Sequence, residues 1–387
     1  MRIKNFETFL IDLPAIRPHR LANQVVTTQT LVILRLTTSD GVVGVGEATT
    51  IGGLSYGVEA PEAIKAALDV YIRPLIVGLD LPPAVLRKKV ALQIMGNSLA
   101  KSALDTAVLD IESKILNVPA HLLLGGAIRD RLEVIWGLAT GNAARDIEEA
   151  EEMLASGRHR HFKIKVGAAS VHDDVARVAK IASALGDRAS LRIDANRSWT
   201  EIEARDAIVR LADAGVSLVE QPVDTDPDGS ALRRLTAWSP IPIMADESVA
   251  SAKEALALTR HKACDLFALK IGKFGGPSQV RDVAAIASAG GIGVYGGTLL
   301  EGTIGTLAAA HAFAALPDPF PFHTELFGPL LLKDDITTAS PAYEGFDLVL
   351  PTDAGLGVTI DGDKLDFYRR DRTTRQHRVA TPVATMS

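Results

Sequence analysis

Charged residues recur along this chain at a steady interval, each closing a short apolar run. Lys163 and Lys165, then Asp194, Glu220, Asp246 and Lys270, follow one another at spacings of 24 to 31 residues. A strand, a loop and a helix together occupy about that length, so the interval marks successive βα units. In a closed parallel barrel the C-terminal strand ends meet at one mouth. Three carboxylates and three lysines, distant in sequence, then share one pocket.

The strands that carry this interval read as Leu132–Ala139, Phe162–Val166, Ser190–Ala195, Ser217–Gln221, Pro242–Ala245, Leu266–Ile271, Ile292–Tyr295 and Pro321–Glu325. Helical stretches lie between most of them, among them Asp173–Leu185, Glu201–Ala214, Lys253–Thr259 and Ser278–Ser288. Eight strands with helical crossovers fit a barrel better than an open sheet, although the count alone leaves closure undecided. The N-terminal part is different. Ile3–Asp12, Thr30–Thr37 and Val42–Glu47 read as a small antiparallel sheet with a tight turn at Ser39-Asp40-Gly41. Pro61–Tyr71, Pro83–Gln93 and Ala100–Leu116 carry helical periods. The expected division is an α+β domain over residues 1–125, completed by part of the β-rich stretch 340–370, and a barrel over 126–340. The tail 372–387 lacks periodicity and is expected to be disordered.

Each of Asp194 (LRIDAN), Glu220 (SLVEQP) and Asp246 (IMADES) ends an apolar strand. Three carboxylates in one pocket repel strongly unless a cation neutralises them. All-oxygen ligation suits Mg²⁺ or Mn²⁺, with positions left for substrate. A solvated loop acid or a helix cap is the plain alternative for any one alone. In HFKIKVG, alternation puts Lys163 and Lys165 on one face of the strand and apolar residues on the other. Two inward lysines in a barrel strand are costly as structure. Held close and partly desolvated, they are expected to depress each other's pKa and so to serve as acid or base near neutrality. Lys270 stands across the barrel from them, and Lys273 reads as a solvated loop lysine or an aid to orientation. Arg17, His19 and Arg20 read as a solvated cationic loop, with attraction of a substrate's second charge as the functional alternative.

Composition excludes several classes of partner. The net charge is −6 with no basic block, which gives no support for nucleic acid or an anionic membrane. The N-terminus offers no secretory core, and no apolar run approaches a bilayer span of about 20 residues. The single cysteine, Cys264, excludes an internal disulfide and fits a reducing cytoplasm; a buried structural thiol is the expected role.

Amine bases beside a divalent metal suit proton transfer at a carbon next to a carboxylate, where an enolate must be stabilised. A Lys base with Mg²⁺ is also the enolase-superfamily pattern. The barrel residues resemble that superfamily in its muconate lactonizing family, over nearly the whole chain. IRPHR at 16–20, EATTIGGLSYG at 47–57, FALKIGKFGGP at 267–277 and HTELFGPLLL at 323–332 carry the resemblance further. It implies a TIM-type (β/α)7β barrel under an N-terminal α+β capping domain. It implies Mn²⁺ or Mg²⁺ on Asp194, Glu220 and Asp246, and catalysis by Lys163, Lys165, Lys270 and Glu325, the last ending the eighth strand beside the active site. Ile51 and Tyr56 are implied on a capping loop that shapes the pocket, with Asn196 and Phe327 also in contact with substrate. The implied reaction is the reversible cycloisomerisation of cis,cis-muconate, a small dicarboxylate, to muconolactone in aromatic catabolism. The implied assembly is a homo-oligomer, often an octamer in the family.

Relatives acting on chlorinated muconates differ at Tyr56, Ala268 and Phe327, where this chain has the non-chlorinated type. Mandelate-type racemases place a histidine where this chain has Tyr295-Gly296-Gly297-Thr298. Dipeptide epimerases show D-x-D where it has His323-Thr324-Glu325. A succinylbenzoate synthase shares the barrel residues with a different cap. A catalytically idle barrel used for binding would tolerate loss of a ligand or lysine, and every position here is filled.

Overall fold

The computed structural model describes residues 1–21, 24–55, 57–317 and 323–372. The chain begins with three antiparallel strands, β1 (Ile3–Arg20), β2 (Val25–Thr38) and β3 (Val43–Thr49), ordered β1-β2-β3. Gly41, at φ +84°, takes the left-handed conformation that the turn between β2 and β3 requires. Period-two alternation splits the sheet between two cores. Val32, Leu34 and Leu36 pack with Ile64, Leu68 and Ala103 of the N-terminal helices. Leu31 and Ile33 face the other way into the barrel's core. Each such side chain contributes about 1.5–3 kcal/mol on burial, so the sheet adheres on both faces. Strand β3 lies so close to the helix Ser98–Leu116 that a Cβ on Gly46 would stand 1.9 Å from the Ala103 carbonyl oxygen. Glu47, the only carboxylate of β3, reaches the barrel and accepts from the backbone N–H groups of Gly302 (2.7 Å) and Gly305 (2.9 Å).

The next stretch departs from the single strand read over Leu132–Ala139. Strand β4 (Arg131–Glu133) is separate from β5 (Trp136–Leu138). Between them the Val134 N–H donates to Phe346 and the Ile135 N–H to Thr324, so the hydrogen bonding changes partners mid-run. From β5 the parallel sheet continues through β6 (His161–Lys165), β7 (Ser190–Asp194), β8 (Val216–Glu220), β9 (Ile243–Ala245), β10 (Leu266–Leu269) and β11 (Gly293–Gly296) in sequence order. Thr324 closes the ring. It bridges Val134 on one side and Gly296 on the other, and the Glu325 N–H donates to the Gly296 carbonyl at 2.7 Å. Among the described residues the eighth stave is therefore one bridging residue, and the first two residues of the expected strand Pro321–Glu325 lie outside them.

The helices expected between strands form as Val171–Leu185, Glu201–Asp213, Ala252–His261 and Pro277–Ala289. Thr200 and Glu203 make a reciprocal capping box at the second of these. Three more crossover helices, Ala143–Ala155, Ser230–Thr236 and Thr303–Ala314, complete the alternation, the first capped by Asn142. The stretch 340–370 divides its contacts. Strands β12 (Tyr343–Glu344) and β13 (Asp347–Val349) extend β4 at the base of the barrel, whereas Arg369 bridges Ile11 and the Arg370 N–H donates to Leu10 on β1. The expected tail falls outside the described residues from residue 373 on. No described helix is long and apolar enough to cross a membrane. Cys264 is buried, and burial pushes its thiol up to about 12, as a structural cysteine requires.

Two buried histidines make the fold sensitive to acid. His159 lies under Trp136 with ring centroids 5.1 Å apart and hydrogen-bonds the Val134 carbonyl. Burial lowers its pKa to about 4, and His311 is lowered to about 4 in the same way. A folded-state value below the unfolded one means that the unfolded chain binds protons first. Stability should then be full above about pH 6.5 and fall progressively towards pH 4. Denaturant midpoints across that range should drop for the parent and drop less for His159→Gln; equal slopes would show that His159 is not responsible.

Candidate active site

Strand register brings the charged residues to one level. Lys165 pairs with Asp194 across β6 and β7, and Asp194 with Glu220 across β7 and β8. Asp246 follows β9 and Lys270 follows β10 by one residue each, and Glu325 follows the closing bridge. Together these positions rim the C-terminal mouth of the barrel. A cavity of about 370 Å³ opens there, with Lys163, Lys165, Asp246, Lys270 and Glu325 on the barrel side and His19 and Ile51 on the cap side.

The side chains form a lattice of alternating charge. The Lys163 ammonium stands 3.0 Å from Asp194, 2.7 Å from Glu220 and 2.6 Å from Glu325. The Tyr295 hydroxyl donates to the same oxygen of Glu325 at 2.9 Å. Lys165 donates to Asp194 Oδ2 at 2.6 Å and to Asn196 Oδ1 at 3.2 Å. Lys270 and Lys273 each take one oxygen of Asp246, at 2.6 and 2.7 Å. Gly297 leaves room for this, since a Cβ there would lie 2.9 Å from Lys270 Cε.

The counter-charges are unequal, and the acids respond accordingly. Burial opposes ionisation of Asp194, but Lys163 and Lys165 outweigh it and hold its carboxyl far below the usual range. Burial likewise opposes Asp246, and Lys270 with Lys273 overcome it. Glu220 has only a share of Lys163, so burial and the repulsion of Asp194 drive it well above the ordinary carboxyl value. Among the described residues neither oxygen of Glu220 has an aligned hydrogen-bond donor; the Lys163 ammonium is close to Oε2 but out of line. A fully buried carboxylate without an aligned donor is what a cation-binding oxygen set leaves when only protein atoms are counted. The three acids are not drawn into one tight cluster. Among the described residues, the one trio of acid or imidazole ligand atoms lying within 4.8 Å of one another is Glu133, His161 and His323, at the other end of the barrel.

Several expectations are corrected by this lattice. Lys163 is not depressed: burial would lower it, but Asp194, Glu220 and Glu325 hold it well above the ordinary lysine value, and Lys270 is raised by Asp246 against its burial and the charge of Lys163. The reason is interleaving, because each ammonium meets carboxylates before it meets its neighbour. Lys273 is no solvated loop lysine. Its ammonium is enclosed, bonding Asp246 twice and the Ala268 carbonyl at 3.0 Å. Arg17 is committed to Glu149 at 2.6 Å and to the Gly137 carbonyl, so it does not face the cavity. His19 is 1% exposed rather than solvated and lines the cavity. Burial, with the charges of Arg17, Lys165 and Lys163, holds its pKa well below 6.5.

Ile51, Asn196 and Phe327 all line the cavity, Phe327 packing on Trp136 with centroids 5.5 Å apart. Tyr56 lies outside the described residues. Ala268 is buried on β10 and is not part of the cavity wall. The sequence reading missed Glu247. It borders the cavity, takes a 3.3 Å hydrogen bond from Asn196 Nδ2, and is pushed up to about 7 by burial and by the charges of Asp246 and Asp194. Its adjacency to Asp246 was visible, but strict strand alternation argues that consecutive residues point apart, and the strand has ended before both.

Comparison with known proteins agrees with this architecture. Residues 5–125 match the mandelate racemase/muconate lactonizing enzyme N-terminal domain, and residues 145–364 match the enolase C-terminal domain-like family. A muconate cycloisomerase of Acinetobacter lwoffii is 48% identical over 96% of this chain and 96% of its own length. One from Pseudomonas putida is 48% identical over 95% and 98%, and a chloromuconate cycloisomerase of Pseudomonas putida is 42% identical over 96% and 100%. The crystal structure of muconate lactonizing enzyme from Pseudomonas fluorescens complexed with muconolactone superposes with a TM-score of 0.93 at 47% identity, covering 95% of this chain and 99% of that one. The chain belongs to the mandelate racemase/muconate lactonizing enzyme family of enolase-like proteins, alongside its muconate cycloisomerases.

Proposed function

We infer that this chain is a muconate cycloisomerase, an isomerase that interconverts cis,cis-muconate and muconolactone. The observation that carries the reading is the buried lysine set, Lys163 and Lys165 on one wall and Lys270 on another, facing one cavity with Asp246 on its wall and Asp194 and Glu220 ion-paired directly behind the lysines. We assign Asp194, Glu220 and Asp246 as holders of a divalent cation, Mg²⁺ or Mn²⁺ by the hardness of their oxygens. Bound there, the cation would supply positive charge to a substrate carboxylate as negative charge builds on it.

The chain's own residues account for the rest. One carboxylate oxygen of muconate adds to the double bond conjugated with the other carboxylate, and the electron pair moves onto that second carboxylate. Lys165 then delivers a proton to the α-carbon, where a carbon–hydrogen bond forms as the nitrogen–hydrogen bond breaks. The net change is muconate dianion plus one proton to muconolactone monoanion, so the lysine recovers its proton from solvent. Lys163, fixed by Glu325 and through it by Tyr295, keeps positive charge beside Lys165. Lys270 steadies charge from the facing wall. Ile51, Asn196 and Phe327 shape the substrate's space, with Tyr56 assigned beside them on the sequence reading alone. Residues 1–125, with part of 340–370, act as the cap over the barrel of 126–340 and keep water from the enediolate.

His19 belongs in this assignment. Its Nδ1 is buried and has no hydrogen-bond partner among the described residues, while its ring borders the cavity. A neutral imidazole there can donate to the substrate's far carboxylate. His19→Ala should raise KM for muconate about tenfold or more with a smaller change in kcat. An unchanged KM in steady-state assays would remove His19 from the site.

By resemblance to the family we assign a homo-oligomeric working state, to be read by sedimentation. The activity itself is tested by the ultraviolet absorbance of cis,cis-muconate, which the Mn²⁺-loaded protein should abolish as the conjugated diene is lost. Product NMR in D₂O then gives the face of protonation. No absorbance loss with fresh Mn²⁺ would overturn the reading.

A further inference from the structure

A second group of ligand-type side chains sits at the opposite end of the barrel, where the staves begin. Glu133 ends β4, His161 opens β6, and His323 immediately precedes the closing residue Thr324. The two imidazole rings stack with centroids 4.0 Å apart and planes 20° apart. His161 Nε2 lies 2.9 Å from Glu133 Oε1, and His323 Nδ1 lies 3.2 Å from Glu133 Oε2. Two nitrogens thus converge on the two oxygens of one carboxylate, and all three ligand atoms fall within 4.8 Å.

Each ring's lone pair lies in its own plane, so ligation of one ion by both rings requires the less anchored ring, His323, to turn out of the stack, while His161 is held at both nitrogens. The far nitrogen of His161, Nδ1, is 2.5 Å from the Ser190 hydroxyl, which fixes the ring's orientation. His323 holds φ +61°, a left-handed conformation that a non-glycine residue adopts at some cost and that coincides here with its place in the trio. All three side chains are 15–30% exposed, so an ion can enter and water can complete its shell. Two cations oppose binding. Arg160 donates to Glu133 Oε1 at 2.6 Å, although its side chain is half exposed, and Arg192 lies close enough to repel both histidines. These charges argue for moderate affinity and against a weakly binding hard ion.

We propose that Glu133, His161 and His323 form a transition-metal site on the floor of the barrel, suited to Zn²⁺ or another imidazole-preferring divalent ion, which ties the barrel's closing seam. The donor set is two imidazole nitrogens and one carboxylate, unlike the all-oxygen set at the mouth. Its placement gives it a mechanical role. Among the described residues the ring closes through the short segment His323–Glu325, with Thr324 as its one bridging residue, and the trio joins the first residue of that segment to β4 and β6. The same short segment carries Glu325, which holds Lys163, so the tie also steadies one partner of the catalytic lattice.

The test uses the full chain saturated with Mn²⁺ at the mouth and Zn²⁺ alone as probe. Equilibrium dialysis should find one Zn²⁺ per chain beyond what His323→Asn retains, and thermal unfolding should shift upward by several degrees with Zn²⁺. Asparagine tolerates the left-handed backbone, and His161→Val keeps a strand-forming residue, so both variants should fold. Each should weaken Zn²⁺ binding about tenfold or more and abolish the thermal shift. Equal uptake and equal shift in the parent and both variants, or no uptake by the parent, would overturn the proposal.

Discussion

Lys165→Met is expected to lower the rate of muconate closure by about two to four orders of magnitude, the range contributed by a positioned proton donor. Methionine keeps the length and apolar volume of the lysine stem but cannot donate a proton. Lys165 is bonded to Asp194 and Asn196 on the cavity wall, so its loss removes a proton from the site without opening the barrel core. The expected signature is a kcat loss, with muconolactone binding, measured by fluorescence or calorimetry, changed far less. Retention of full turnover would move the proton donation to Lys270 and invert the stereochemistry of addition. Product NMR in D₂O would then show deuterium on the opposite face.

Glu220→Gln should have the largest effect on metal binding and little effect on the metal-free fold. Glu220 is buried with no aligned donor among the described residues, and burial plus the charge of Asp194 already pushes its carboxyl well above its ordinary value. A neutral amide of the same shape therefore replaces a group that resists ionisation in the metal-free protein. Binding a divalent cation needs the ionised form, and the amide lacks it. Mn²⁺ titration by paramagnetic resonance should show affinity weakened about a hundredfold or more, with turnover lost in parallel. The thermal midpoint of the parent should rise with Mn²⁺ and that of the variant should not. Unchanged Mn²⁺ affinity would remove Glu220 from the ligand set.

Much of the fold was legible because the physics is local. The 24-to-31-residue interval and the apolar strand cores at Phe162, Ile193 and Val219 follow from the length of a βα unit and from burial on both faces. The capping residues of the crossover helices follow from short-range hydrogen bonding, as Thr200 and Glu203 illustrate. What escaped was decided by partners far along the chain. The run Leu132–Ala139 reads as one strand, and only the arrival of Phe346 and Thr324 at Val134 and Ile135 divides it. The eighth stave is reduced in the same way, to a single residue that two distant strands accept.

The site shows the same division. The sequence by itself determined which chemical groups this protein brings to its mouth, because side-chain alternation and strand length place Lys163, Lys165, Asp194 and Glu220 on the inward, C-terminal positions. Only the tertiary structure decided how those charges meet. It gave Asp194 and Asp246 two lysines each and left Glu220 a share of one, enclosed Lys273, took Arg17 away to Glu149, and turned His19 into the cavity. The reason is that ionisation depends on every charge and every dry surface within a few ångströms, and in a closed barrel most of those neighbours come from other strands.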